Sequence, residues 1–451
     1  MASAAEQLAA NMNFSSFQKA SELHKRIWFT IIALVVYRLG TYVPIPGIDP
    51  AAFASLFSQN SKGLLGMFDM FSGGAVERMA IFSLNVMPYI SASIIVQLMG
   101  TVYPPWEKLK KEGGEAGRKT LNQYTRYLAV ILAIVQSASI AMGIAAQPGV
   151  VADGVGHTFF IASTIVALTG GTMFLMWLGE QITSRGVGNG VSLIIFAGIV
   201  AALPIKLMQM LTQAQSNNNY MPLLLVVVGG IAAILAIVFI ERSQRRLLVH
   251  YPKRQQGNRM IGGESSFMPL KINTAGVIPP IFASSLLLLP TTALQLVQTA
   301  NLPAWASWLP SVVGSLQHGQ PAFLVLYSLL IIFFSFFYTS VVFNPDETAE
   351  NLRKYGGFLP GIRPGKRTAE YLDYVLTRLT VIGAAYITAV CVAPELAMMA
   401  MKSTQFALGG TSILIVVTVT MDTVAQIQSH LLAHQYEGLI KKSKLRGGRN
   451  R

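Results

Sequence analysis

Few residues in this chain have types and spacings that could do chemistry. The run from Gly361 to Arg367 superficially resembles a phosphate-binding loop, but Arg367 stands where a hydroxyl residue should follow the lysine. His430 and His434 are four residues apart, as on one helical face, yet no glutamate or third ligand accompanies them. We therefore predict no catalytic residues, no metal, no cofactor and no direct nucleotide binding, and we expect that the protein is not an enzyme.

The elements that carry these residues are membrane spans. Apolar residues make up 52% of the 451 positions and charged residues only 12%, whereas an ordinary soluble domain has about 25% charged residues. Roughly 20 consecutive apolar residues cross the hydrocarbon core of a bilayer. Ten such runs predict an all-α polytopic membrane protein, with spans near 27–44, 79–102, 127–146, 158–183, 190–212, 221–240, 273–293, 321–343, 376–399 and 407–431.

The distribution of charge predicts the orientation. The net charge is +14, and most of the 34 basic residues fall in the two tails and in alternate loops. Because short cytoplasmic loops carry an excess of lysine and arginine, both termini are expected in the cytoplasm of a multi-pass membrane protein. The same charges leave a simpler alternative open, in which they only set topology and bind anionic lipids.

Two basic loops are longer than topology requires. The loops at 242–271 and 344–375 each have about 30 residues, whereas packed helices are usually joined by 2 to 8. The second contains a turn stiffened by proline and glycine, from Phe358 to Gly365, which presents Arg363. Such structured basic loops suit the docking of an acidic or RNA-bearing partner.

A broken stretch from Met67 to Gln97 belongs to an internal repeat. Here an apolar stub ends at Ser72-Gly73-Gly74, and the span that follows is expected to break at Pro88. Two matched pairs of motifs lie five spans apart, which predicts two inverted five-helix halves around a central pore. The pairs are Val86-Met-Pro-Tyr-Ile90 with Val277-Ile-Pro-Pro-Ile281, and Gly190-Val-Ser-Leu-Ile-Ile195 with Gly410-Thr-Ser-Ile-Leu-Ile415.

The repeat brings branched aliphatic side chains to equivalent places around one axis. Ile90, Ile195, Ile281 and Ile415 form the four related positions, and Val86 and Val191 lie one turn away on the same faces. Such a collar expels water and so closes to ions, although its side chains can part around a passing chain. Ordinary packing between helices is the alternative interpretation.

The repeat alone would equally suit a coupled secondary transporter, with a membrane-embedded enzyme as a third class. A transporter driven by protons or sodium ions needs ionisable groups near the middle of the membrane. The intramembrane ionisable residues that we expect, Arg38, Glu180 and Asp422, all lie nearer to a span end. This placement favours a channel.

Several motifs, some of them long and polar, resemble those of the SecY family, the central subunits of bacterial protein-conducting channels. The resemblance covers nearly the whole chain. The motifs are Pro44-Ile-Pro-Gly-Ile48, Met70-Phe-Ser-Gly-Gly74, Met87-Pro-Tyr-Ile-Ser-Ala-Ser93, Lys253-Arg-Gln-Gln-Gly257, Ala275-Gly-Val-Ile-Pro279, Pro360-Gly-Ile-Arg-Pro-Gly365 and Gln435-Tyr-Glu437.

The resemblance implies roles for particular residues. The segment 64–76 would be a plug, with Phe68, Met70, Phe71, Ser72, Gly73 and Gly74 as its residues. The collar would be the pore ring, made here of Val86, Ile90, Val191, Ile195, Ile281 and Ile415, with valine at two positions that are usually isoleucine. Spans 2 and 3 would face spans 7 and 8 across a lateral gate. Partner docking would use Lys253, Arg254, Arg363, Lys366 and Tyr436.

The resemblance also implies the function and the partners. The protein would translocate unfolded secretory polypeptides that bear signal peptides and would release apolar segments sideways into the bilayer, driven by the SecA motor or the ribosome. SecE and SecG would be its membrane partners. The expected organisation is a cytoplasmic N-terminal tail at 1–26, an N-terminal half at 27–213, a C-terminal half at 214–432 and a basic cytoplasmic tail at 433–451.

Overall fold

The computed structural model describes most of the chain. The described residues are 21–60, 69, 71–111, 114–145, 149–152, 154, 156–216, 218–252, 254–256, 259–261, 265–287, 320–401 and 409–447. The predicted plug residues Phe68 and Met70 and the predicted docking residue Lys253 lie outside them.

Helices dominate both halves. The first half contains α1 Ser21–Gly40, α2 Pro50–Asn60, α3 Met87–Val102, α4 Pro104–Lys111, α5 Gly114–Ala145, α6 His157–Arg185 and α7 Gly190–Ser216. The second half contains α8 Met221–Arg242, α9 Ile278–Leu287, α10 Pro321–Val342, α11 Pro345–Lys354, α12 Lys366–Met401 and α13 Gly410–Gly447.

The predicted all-α polytopic membrane fold is confirmed. Within the described residues, each of the ten predicted spans contains a helix, namely α1, α3, α5, α6, α7, α8, α9, α10, α12 and α13. Seven of these, α5 to α8, α10, α12 and α13, are long and apolar enough to cross a membrane, while α3 and α9 are shorter apolar helices. Helix α1 has 20 residues but carries Lys25, Arg26 and Arg38.

The prediction that Pro88 breaks the second span was wrong. Residues 73–86 form turns, and α3 begins at Met87, so that Pro88 lies in its first turn. The ring of proline is tolerated there because the first N–H groups of a helix have no partner within the helix. Pro279 holds the same place in α9, which begins at Ile278, so the two prolines remain equivalent.

The contacts between helices repeat five spans apart. Helix α1 packs on α7 as α8 packs on α13, α5 packs on α6 as α10 packs on α12, and α6 packs on α7 as α12 packs on α13. The halves meet where α7 contacts α8 and α13. This pattern is what two five-helix units of the same fold produce.

The two long basic loops form one folded body, which we call the extramembrane unit. Strand β1 Gln244–His250 pairs antiparallel with β4 Ser265–Lys271, and the short strands β2 Arg254–Gln256 and β3 Arg259–Ile261 pair with each other. The second loop joins this ribbon because His250 and Phe358 exchange backbone hydrogen bonds of 2.9 and 3.0 Å. The unit has its own apolar core, made of Leu247, Val249, Leu270, Leu359, Leu372, Val375, Leu376 and Leu379.

Several helices extend beyond the predicted spans, α12 and α13 among them. Helix α12 begins at Lys366, within the loop predicted at 344–375, and buries Leu372 and Leu376 in the core of the extramembrane unit. Helix α13 continues to Gly447, past the boundary predicted at 433. A hydropathy pattern marks where lipid begins and ends, whereas a helix continues as long as its hydrogen bonds and packing support it.

Candidate functional site

The predicted collar residues come together in the interior. Val86, Ile90, Ile195, Ile281 and Ile415 are buried in one apolar cluster that draws on both halves, and Val191 is half-buried against it. Aliphatic side chains offer no hydrogen bonds to water, so this region presents a dry apolar surface where the halves meet.

The start of each helix positions its collar residue. Ile90 and Ile281 each follow their proline, Pro88 or Pro279, by two residues in the first turns of α3 and α9. Ile195 and Ile415 each follow the first glycine of α7 or α13 by five residues. Val86 caps α3, and its carbonyl oxygen accepts a hydrogen bond of 3.0 Å from the N–H of Ile90.

The segment before α3 lies against this cluster. The described members of the predicted plug, Phe71, Ser72, Gly73 and Gly74, are all buried, and Phe71 belongs to the same apolar cluster as Ile90. Gly73 and Gly74 have φ angles of 68° and 84°, a backbone conformation that only glycine adopts readily.

Side chains from elsewhere hold the backbone of this segment. Three consecutive carbonyl oxygens each accept a hydrogen bond: that of Phe71 from Asn85 Nδ2 at 2.8 Å, that of Ser72 from Tyr37 Oη at 3.2 Å, and that of Gly73 from Arg38 Nη1. Tyr37 and Arg38 come from the end of α1. A buried carbonyl without a hydrogen-bond partner is costly, so these donors stabilise residues 71–74 in the buried position that they occupy here.

Charged groups surround the same segment. The guanidinium groups of Arg38 and Arg78 lie 5.0 and 4.2 Å from the ring centre of Tyr42, a cation–π arrangement. The carboxylate of Asp69 accepts a hydrogen bond of 2.9 Å from the N–H of Glu77. Burial raises the pKa of Asp69, and that hydrogen bond opposes the rise.

Among the described residues, one hydrogen-bond contact lies at the predicted lateral gate. Ser285 Oγ in α9 lies 3.7 Å from the sulfur of Met87 at the start of α3, and both side chains are buried. The second and seventh spans therefore touch at this level.

The predicted docking residues differ in how far the structure describes them. Arg363 and Lys366 are exposed on the extramembrane unit, at the turn before α12 and at its first residue. The threonine hydroxyl of Thr368 donates to the carbonyl of Arg363 at 3.1 Å and so fixes the turn. Arg254 lies in β2 and Tyr436 in α13, and their side chains fall outside the described residues.

Sequence reasoning missed several residues of the site. Tyr37 and Asn85 donate to the backbone of the predicted plug, although neither stands out by type. The position of Asn85 just before a proline-started helix offered a weak signal. The expected set of intramembrane ionisable residues was also incomplete, because Glu395 is buried in α12. It too lies near a helix end, so the argument against a coupled transporter stands.

Comparison with known proteins decides the family. A family model described as SecY matches residues 80–424, which is most of the chain. The chain belongs to the SecY family. Protein translocase subunit SecY of Vibrio cholerae is 52% identical over 439 residues, which cover 96% of this chain and 98% of the relative. The SecY of Pseudomonas aeruginosa is 51% identical over 434 residues, or 95% of each chain.

The fold is shared with solved channels. A structure described as that of a protein conducting channel covers 90% of this chain and 92% of its own, with a TM-score of 0.65 and 17% identity. Sec61 in the canine ribosome-channel complex has a TM-score of 0.61 at 17% identity, with the same coverage of both chains. This member of the SecY family is thus a multi-pass membrane protein with the channel fold.

Proposed function

We propose that this chain is the pore-forming subunit of a protein-conducting channel. It acts as a channel and not as an enzyme, moving unfolded secretory polypeptides that carry signal peptides across the bacterial cytoplasmic membrane. The observation that carries the proposal is the apolar collar of Ile90, Ile195, Ile281 and Ile415, with the buried segment 71–74 against it in a chain of the SecY family.

The collar and the plug act in series. Branched aliphatic side chains exclude water and ions at rest, and the plug at 64–76 covers the collar on the external side. When a polypeptide enters, the plug moves away and the collar side chains part around the chain. The hydrogen bonds from Tyr37, Arg38 and Asn85 stabilise the closed state relative to the open state. The difference is modest, since water can replace each donor when the plug moves away.

Sideways release follows from the contact between α3 and α9. A charged side chain at the centre of a membrane helix costs about 2.5 to 3.5 kcal/mol on insertion scales, whereas a leucine is favourable. When Met87 and Ser285 separate, an apolar segment in the pore exchanges with lipid, and a polar segment stays in the aqueous path. One pore with a lateral gate thus sorts the two kinds of segment.

The partners and the orientation complete the proposal. Both termini face the cytoplasm, as the distribution of basic residues favours. The extramembrane unit receives the SecA motor or the ribosome through Lys253, Arg254, Arg363 and Lys366. Tyr436 contributes to the same docking from α13. SecE and SecG are the membrane partners, and anionic lipids bind the remaining basic residues. The halves at 27–213 and 214–432 form the two walls of the pore.

Reconstitution tests this function. The full chain, purified with the membrane subunits that accompany it, is placed in vesicles of anionic and zwitterionic lipid with SecA, ATP and a signal-bearing substrate. We expect protease-protected substrate in the lumen, and a substrate with an added apolar segment of about 20 residues is expected to remain in the bilayer. Absence of protected substrate, with a SecY relative active in parallel, would reject the proposed function.

A further inference from the structure

Glycines on three different helices line the path of the segment that carries the plug into α3. They are Gly40 at the end of α1, Gly171 in α6 and Gly198 in α7. A methyl group on Gly198 would overlap the carbonyl oxygen of Phe71, and one on Gly171 would overlap the carbonyl oxygen of Ile81. One on Gly40 would overlap the ring of Phe82. We call these three glycines the glycine seat.

The seat glycines differ from neighbouring glycines of the same helices. Gly170 precedes Gly171 in α6, yet a methyl group there would meet nothing within 4 Å, and the residue is exposed. Glycine destabilises a helix interior relative to alanine. A glycine inside a helix therefore has a structural reason where a neighbouring residue occupies the space that a side chain would need. In the seat, that neighbour is the plug carbonyl of Phe71 at Gly198, the carbonyl of Ile81 at Gly171 and the ring of Phe82 at Gly40.

At Gly198 the neighbour is the predicted plug itself, through the carbonyl oxygen of Phe71. A side chain on Gly73 would lie 3.0 Å from both the Cα and the carbonyl oxygen of Gly198, so the two backbones are in direct contact. At this depth the plug carbonyls come within reach of their donors, and the hydroxyl of Tyr37 lies beside Gly198 and Ser72. At Gly198 the wall thus contacts the plug through backbone atoms.

We infer that the closed state is set by the wall of the channel, through the glycine seat and the donors Tyr37, Arg38 and Asn85, which recognise the backbone of the plug. These are positioning residues for the gate. The inference rests on the proposed function, in which 64–76 is a plug that moves. Added bulk at Gly198 or Gly171 displaces the segment 71–82 that carries the plug into α3, because each of these glycines faces a backbone carbonyl and not a side-chain end that can move aside.

A cysteine reporter tests the inference independently of conductance. Cys391 is the single cysteine of the sequence and is buried, so Cys391→Ser provides the background. Val76→Cys then reports the plug, because Val76 is 9% exposed. A membrane-impermeant maleimide applied to the external face of proteoliposomes labels this thiol when the plug leaves its seat.

We expect Gly198→Ala and Gly171→Ala to raise the labelling rate about tenfold or more and to raise the resting ion conductance. Gly170→Ala is the matched control in α6 and should change neither. If a seat variant fails to fold, Tyr37→Phe tests the inference instead, since it keeps the buried ring and removes only the hydroxyl that donates the hydrogen bond. For Tyr37→Phe we expect the labelling rate to rise about fivefold.

The possible results distinguish the inference about the glycine seat from the proposed role of the plug as a seal. Faster labelling with higher conductance supports both the glycine seat and the proposed plug. Faster labelling with unchanged conductance supports the seat and rejects the plug as a seal. Unchanged labelling in folded Gly198→Ala, Gly171→Ala and Tyr37→Phe overturns the inference, whether or not conductance rises.

Discussion

Gly190 and Gly410 hold the same place in the two halves of the molecule. Each is the first residue of its helix, α7 or α13, and each lies against a backbone carbonyl of the preceding span. For Gly190 the carbonyl belongs to Gly179 in α6, and for Gly410 it belongs to Val390 in α12. The close approach fixes where α7 and α13 enter the pore, and so where Ile195 and Ile415 lie.

Alanine at either position should therefore destabilise the protein to a similar degree. A methyl group would overlap a carbonyl that cannot move without its helix, at a cost of about 1 to 3 kcal/mol. We expect a lower apparent melting temperature in detergent for both Gly190→Ala and Gly410→Ala. Gly229→Ala is the control, because Gly229 in α8 has open space around it and alanine favours the helix. A lower melting temperature for only one of the two variants would contradict the structural equivalence of Gly190 and Gly410.

Removing the amide of Asn85 should loosen the plug. Asn85 has a φ angle of 49°, so Asn85→Gly keeps the backbone conformation and deletes only the hydrogen bond to Phe71. The loss of about 1 kcal/mol shifts the gate roughly fivefold toward the open state. Resting ion flux from vesicles measures the change.

A second asparagine provides the control for that measurement. Asn218 has a φ angle of 50° and lies exposed between α7 and α8. Asn218→Gly should leave the ion flux unchanged. An equal flux from the Asn85→Gly and Asn218→Gly channels would show that the amide of Asn85 does not hold the plug.

Serine in the collar should make the pore leak. The hydroxyl of Ile90→Ser, Ile195→Ser, Ile281→Ser or Ile415→Ser lets water enter the constriction, which then conducts ions when the plug moves. We expect higher conductance in planar bilayers for each variant and a larger rise when two are combined. Ile231→Ser is the control, because Ile231 is 56% exposed on α8. Conductance that matches this control in all four variants would reject the pore ring.

Reversing the charge of Arg363 should impair docking and leave folding intact. Its side chain is exposed, and the apolar core of the extramembrane unit does not include it. Loss of a charge pair in an interface commonly costs 2 kcal/mol or more, so we expect translocation in vitro to fall more than tenfold in Arg363→Glu. Arg118→Glu makes the same charge change on exposed α5. Equal rates in the two variants would argue against docking at Arg363.

The sequence predicted the features that are local or repeated. Pro88 with Pro279 and Gly190 with Gly410 follow from short motifs at matching places, and the spans follow from hydropathy. The bonds between Tyr37 and Ser72 and between His250 and Phe358 were not predictable in this way. They join residues far apart in the chain, and each has a backbone carbonyl as its acceptor, so neither composition nor periodicity records them.

The turns between Gly73 and Val86 show the same limit. Hydropathy assigned residues 79–86 to the second span because they are apolar, but apolar residues also cover a buried turn. Met79 and Asn85 take positive φ angles there, and the side chain of Asn85 satisfies a carbonyl of the plug. Only the tertiary structure distinguishes such a turn from the first turns of a helix.

Helix α12 gives the molecule a mechanical link. Its 36 residues, with Pro394 inside the helix, correspond to a helical length of about 54 Å, longer than the roughly 30 Å of hydrocarbon that a membrane presents. One end is anchored in the extramembrane unit through Leu372 and Leu376, and Val390 near the other end bears on Gly410, where α13 begins. In the proposed function, a push delivered at the surface by a docked motor would thus be carried by α12 to the helix that carries Ile415.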